Sequence, residues 1–145
     1  MSNEVQQAQS EIIDEFGVFD DWMGRYEYLI DLGKELPEFP QEWRTDESKI
    51  RGCQSQVWFH TELQDGRLRF QGISDAAIVS GLIAVLMRVY GDRRPRDILE
   101  SSPDFIAKIG FDEHLSSTRS NGLSAMLAAL YARAKRYEHE QVQAQ

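Results

Sequence analysis

The residues of this chain best suited to covalent chemistry surround its single cysteine, in the run Ser48-Lys49-Ile50-Arg51-Gly52-Cys53-Gln54-Ser55-Gln56-Val57-Trp58. A thiolate is a strong nucleophile whose reactivity follows its ionised fraction and its access. Gly52 on one side and Gln54 and Ser55 on the other are loop-like company, whereas a structural thiol usually hides among aliphatic side chains. A small half-buried thiol at the start of a strand is the alternative reading. Arg51, two residues away, is a cation that would favour the thiolate, although a solvated surface charge is its plainer role. Gly52 gives the backbone freedom to move the thiol, and Gln54, Ser55 and Gln56 can be wet in one state and hydrogen-bonded in another. A cysteine hydrolase would need one of the three histidines, His60, His114 or His139, beside Cys53. No spacing of Cys, His and carboxylates suggests a metal site, and one cysteine can build neither an internal disulfide nor a four-cysteine zinc or cluster site.

The elements that must hold this run are legible on both sides of it. From Val57, Phe59, Thr61 and Leu63 alternate with Trp58, His60, Glu62 and Gln64, and after Asp65-Gly66 a second alternating run extends from Arg67 to Ile73. Asp-Gly between two such runs predicts a two-residue hairpin, with Gln64 facing Arg67, Leu63 beside Leu68, Thr61 beside Phe70 and Glu62 beside Arg69. One face is then apolar and the other pairs opposite charges. Continued backwards, the alternation aims Cys53 and Ser55 to the side of Val57 and away from His60. Asp75 is a natural N-cap for an apolar helix from Ala76 to Tyr90, buried against the apolar sheet face.

Elsewhere, Ser10 is expected to cap a short helix through Phe16, and Asp20 a longer one ended by Pro37, with Trp22, Tyr26, Leu29, Ile30 and Gly33 on one face. Phe39 and Trp43 are expected to anchor the irregular link from Pro37 to Asp46. Pro95 and Pro103 mark first helical positions, and Gly110 a helix stop. The last helix is expected to start between Ser116 and Thr118 and to bury Leu123, Met126, Leu127, Leu130, Tyr131 and Ala134. Residues 1–9 and 138–145 read as frayed tails.

A chain of 145 residues with 41% hydrophobic content suits one ordinary domain, 1–145. Its net charge of -8 disfavours nonspecific binding to nucleic acid or an anionic membrane and favours a protein or small-molecule partner. The polar amino terminus lacks the pattern of an export signal, and the apolar run from Ala76 to Tyr90 is shorter than a membrane span. A reducing cytoplasm is the expected compartment.

Three separated blocks carry a resemblance: Ile50-x-Gly52-Cys53-x-Ser55-x-Val57-Trp58, then Ser74-Asp75-Ala76 with its apolar run to Tyr90, then Ser120-Asn121-Gly122-Leu123. In this order, spread from about Trp22 to Tyr137, they resemble the SufE family of sulfur acceptors, which includes CsdE-like paralogues. The resemblance implies an α+β fold, similar to that of IscU-type scaffolds, with a small antiparallel sheet packed by helices. It implies that Cys53 takes sulfur as a persulfide from a SufS- or CsdA-like cysteine desulfurase, stimulating that enzyme, and delivers it to a SufBCD-like iron-sulfur scaffold complex. No cofactor is then expected in this chain, because pyridoxal phosphate belongs to the desulfurase. The same blocks make Asp75 a candidate neighbour of the cysteine loop and Arg119 a candidate cation at the site. IscU-type cluster assembly uses several cysteines, so this chain is not expected to build a cluster alone. A cysteine-nucleophile hydrolase and a thiol-independent adaptor that activates a desulfurase are the alternatives.

Overall fold

Asp65 and Gly66 both adopt positive φ, 54° and 76°, the pair of left-handed residues that a two-residue turn of matching twist requires. In the computed structural model, which describes residues 3–144, this turn joins strands β1 (Val57–Gln64) and β2 (Arg67–Ser74). The register is the expected one, with Gln64 opposite Arg67, Leu63 opposite Leu68, Glu62 opposite Arg69 and Thr61 opposite Phe70. Val57, Phe59, Leu68 and Phe70 are buried on one face. The expected Glu62–Arg69 pairing does not form, because each side chain finds a nearer partner. Glu62 bonds His60 at 2.7 Å, and Arg69 lies 3.5 Å from Asp92.

Among the described residues, seven α-helices surround the hairpin: α1 (Glu4–Gly17), α2 (Trp22–Lys34), α3 (Ala77–Tyr90), α4 (Pro95–Leu99), α5 (Phe105–Ile109), α6 (Phe111–His114) and α7 (Ser117–Ala144). The fold is α+β. Helix α3 lies at its centre, with Leu82, Ile83, Leu86, Val89 and Tyr90 at 0–1% exposure. Gly33 and Gly81 bring α2 and α3 together so closely that a Cβ on Gly81 would fall 2.2 Å from the Leu29 carbonyl oxygen. No helix among the described residues is long and apolar enough to cross a membrane.

Several expected boundaries are corrected. The first helix begins at Glu4, not near Ser10, because Asn3 and Gln6 form a reciprocal capping box and Val5, Ala8, Ile12 and Phe16 seat the helix in the core. The expected tail 1–9 is therefore helical from Glu4 onward; Met1 and Ser2 lie outside the described residues. Asp21, not Asp20, caps α2 through a 2.8 Å bond from the Gly24 amide. Helix α5 starts at Phe105, two residues after Pro103, and Gly110 ends it at φ 101°. Helix α7 continues through the expected tail to Ala144, where Gln145 again lies outside the described residues. Pro95 does stand at the first position of α4, and Phe39 is buried with the Trp43 ring 5.5 Å away.

Candidate functional site

Strand β1 does not extend back to the cysteine. A short segment, Ser48 to Ile50, doubles back along the free edge of β1, where the Ile50 amide donates to the Val57 carbonyl (2.9 Å) and the Phe59 amide to the Ser48 carbonyl (2.9 Å). The chain between Ile50 and Val57 is thus a loop with both stems hydrogen-bonded, and Cys53 sits within it. Gly52 takes φ 89°, and a Cβ there would come 3.2 Å from the Ala125 Cβ of α7. The positive φ favours glycine, and any side chain there would press on Ala125. The strand alternation expected to aim the thiol inward does not apply here, yet the turn at Gly52 produces the same outcome.

Cys53 is half-buried against the core, and its Sγ donates to the Gly122 carbonyl at 3.6 Å. Burial alone pushes the thiol pKa up from its ordinary value, because a thiolate loses hydration there. Neither Arg51 nor Arg119 offsets that shift; both side chains are exposed.

Asp75 is brought to the loop, but not as a helix cap. The α3 cap at Ala76 has no side-chain bond, and Ser74 accepts the Ala76 amide instead. Asp75 turns the other way, and its Oδ1 accepts the Gln56 amide at 3.1 Å, pinning the loop's exit. Ser55 is half-buried and Gln54 exposed. Arg119 opens α7, where its amide bonds the Ser116 hydroxyl at 3.3 Å.

No imidazole partners the thiol among the described residues. His60 stacks on Trp43 at 3.7 Å, and His114 stacks on Trp22 at 4.3 Å. No cluster of three or more metal-ligating side chains occurs among the described residues. The site is therefore one thiol on a tethered loop, seated against the first turns of a long helix. The Gly122 carbonyl is the partner that reading by residue type missed, since a main-chain acceptor has no side chain to betray it. Its only signal was the Ser120-Asn121-Gly122 block.

The chain is 44% identical over 130 residues to a SufE-like protein of Rhizobium meliloti (strain 1021), covering 86% of this chain and 93% of that one. It is 43% identical over 130 residues to a SufE-like protein of Rhizobium etli, covering 86% and 88%. The solution structure of a hypothetical protein from Thermus thermophilus shares the fold at a TM-score of 0.76 and 20% identity, over 96% of this chain and 99% of that one. Residues 10–134 match the family model SufE, described as an Fe-S metabolism associated domain, and on this match and these identities the chain belongs to the SufE family.

Proposed function

We propose that Cys53 is a sulfur acceptor, which takes sulfane sulfur as a persulfide from a cysteine desulfurase and passes it on for iron-sulfur cluster assembly. The observation that carries this reading is the chain's one thiol, held on a loop tethered at both stems and beside no general base among the described residues. A hydrolase needs that base; a carrier does not.

The chemistry is a displacement at sulfur. The Cys53 thiolate attacks the outer sulfur of the desulfurase persulfide, the partner's S–S bond breaks, and its cysteine leaves as a thiolate. The sulfur moves with no net change of oxidation state, and the proton from Cys53 passes to solvent or to the departing thiolate. Clearing the persulfide frees the desulfurase for another turnover, which accounts for stimulation of that enzyme. With no second cysteine in the chain, the cargo stays until another protein, a SufBCD-like scaffold complex, removes it. Pyridoxal phosphate remains with the desulfurase, and a reducing cytoplasm keeps Cys53 available.

The resting thiol is held back. Its half-burial and raised pKa make it a slow nucleophile, so docking of the desulfurase has to draw the loop outward. Shielding protects the cargo, because an exposed persulfide would lose its sulfur to passing thiols. The test is intact mass after incubation with a SufS-type desulfurase and cysteine. A gain of about one sulfur atom, removed by reductant and absent in Cys53→Ser, is expected. Stimulation that survives in Cys53→Ser would favour the thiol-independent adaptor instead.

A further inference from the structure

Charge is distributed unevenly over this acidic chain. Two segments, 48–61 and 117–137, hold six of its 16 Lys and Arg residues and none of its 24 Asp and Glu, leaving ten cations (16 less 6) against 24 carboxylates elsewhere. The six are Lys49, Arg51, Arg119, Arg133, Lys135 and Arg136. Distant in sequence, the two segments lie against each other: the Cys53 thiol meets the Gly122 carbonyl at 3.6 Å, Arg133 Nη1 donates to the Phe59 carbonyl at 2.9 Å, and the Tyr137 hydroxyl donates to the Thr61 carbonyl at 3.1 Å. None of the six cations forms an ion pair among the described residues, whereas Arg67, Arg69, Arg88, Arg93 and Arg96 all do.

Arg133 occupies a gap in the edge pairing. The Ser48 amide, which would continue the pairing with Phe59, turns to the Thr45 hydroxyl (3.1 Å), and the Arg133 guanidinium takes the Phe59 carbonyl in its place. Beside it opens a cleft of about 180 Å³, lined by Ser48, His60, Thr61, Arg133 and Arg136, with Glu47 as its one acidic wall residue. Glu62 is held against His60. Burial and, after it, the neighbouring Arg136 charge both push the Arg133 pKa down. Two guanidiniums on one cleft, with no ion-paired carboxylate among the described residues, are complementary to an oxyanion.

We propose that this face docks an acidic surface of the cysteine desulfurase, with a partner carboxylate entering the Arg133–Arg136 cleft. The inference rests on the sulfur-acceptor reading of Cys53 and adds the chemistry by which the donor is recognised. The face begins at the cysteine loop, so a protein that engages it brings its own surface to the thiol. A local basic face on a molecule of net charge -8 orients an acidic protein while the remaining surface repels extended polyanions.

The test is association of the full chain with a SufS-type desulfurase, loaded with its pyridoxal phosphate and carrying alanine for its nucleophilic cysteine. Affinity should fall about tenfold or more between low and high salt. Lys49→Glu/Arg136→Glu should bind about tenfold more weakly at low salt and lose most of that salt dependence. Lys49→Gln/Arg136→Gln serves in its place if the reversal unfolds the chain. Arg94→Glu, at the opposite end of the hairpin, should bind like the wild type. Salt-independent association, or an equal loss in Arg94→Glu, overturns the proposal, as does tighter binding of single-stranded DNA than of the desulfurase. Sulfur acceptance, followed by mass in parallel, separates the two readings. A mass gain with charge-insensitive association sinks only the docking face, and charge-sensitive association without a mass gain sinks only the acceptor.

Discussion

At the scale of single residues, the site turns on how one thiol is seated. The Gly122 carbonyl accepts a hydrogen bond from the thiol and the α7 surface covers part of its sulfur, so ionisation has to overcome both lost hydration and a lost hydrogen bond. Alkylation of Cys53 in the free protein should therefore rise with pH along a curve whose midpoint lies above the ordinary thiol value of 9.0. Adding the inactive desulfurase should move that midpoint down and raise the rate at neutral pH. A free-protein rate equal to that of an unfolded peptide would remove the shielding. The company of Cys53, Gly52 before it and Gln54 and Ser55 after it, marked a loop thiol, and the half-burial in the structure fits the plainer reading of a small half-buried thiol as well. Asp75 was half legible: the resemblance made it a neighbour of the cysteine loop, where its bond to Gln56 puts it, but its place before an apolar run also looks like a helix cap, which it is not. Its actual bond, to the Gln56 amide nineteen positions earlier, comes from the tertiary fold, which no local pattern encodes.

At the scale of elements, the hairpin was the most legible part, because two period-2 runs and an Asp-Gly turn are local signals that agree. Gly66→Val places a β-branched side chain at φ 76° and should cost about 1–3 kcal/mol, read as a lowered urea midpoint at unchanged slope. Unchanged stability would show that the turn relaxes to another type. Gly81→Ala should cost at least as much, about 2–3 kcal/mol, because the added Cβ meets the Leu29 backbone and not a movable side-chain tip. Circular dichroism melts compare the two directly. The start of α1 was misplaced for an instructive reason. Asn3 and Gln6 stand three apart, the spacing of a capping box, but the polar residues around them resemble a solvated tail. What decides for helix is the burial of Val5, Ala8, Ile12 and Phe16 on one side, a stripe that becomes visible only when counted from residue 5.

At the scale of the whole molecule, ion pairs tie distant elements together at the turn end of the hairpin. Arg67 bonds Glu4 of α1 at 2.6 Å and Asp92 at 2.9 Å, and Arg93 reaches Glu4 at 3.4 Å. A second link joins Glu15 of α1 to Arg88 of α3 and to the Tyr28 hydroxyl, whose pKa is pushed up to about 12, first by burial and then by Glu15. The hydrogen bonds from Arg67 and Arg88 hold the Glu4 and Glu15 carboxyls below their ordinary value of 4.5. Depressed carboxylates stabilise the fold fully above that value, and their contribution is lost as pH falls from it through the lower folded-state values. Urea midpoints should therefore drop below about pH 4.5, and Arg88→Met should flatten the drop. An equally steep drop in that variant would assign acid sensitivity to other groups.

These clasps have a mechanical consequence. They gather at the turn end of the hairpin and along α1, whereas the cysteine end is held by two stem hydrogen bonds, the Asp75 tether and one weak thiol contact. Release of the loop can then proceed as a local opening that leaves the rest of the native structure closed. Native-state deuterium labelling would display this as a gradient, with the amides of Gly52 to Ser55 exchanging early, those of Ile50 and Phe59 later, and those of α3 only on global unfolding. A protein arranged this way can open and reseat its cysteine loop many times without exposing its core to aggregation or proteolysis.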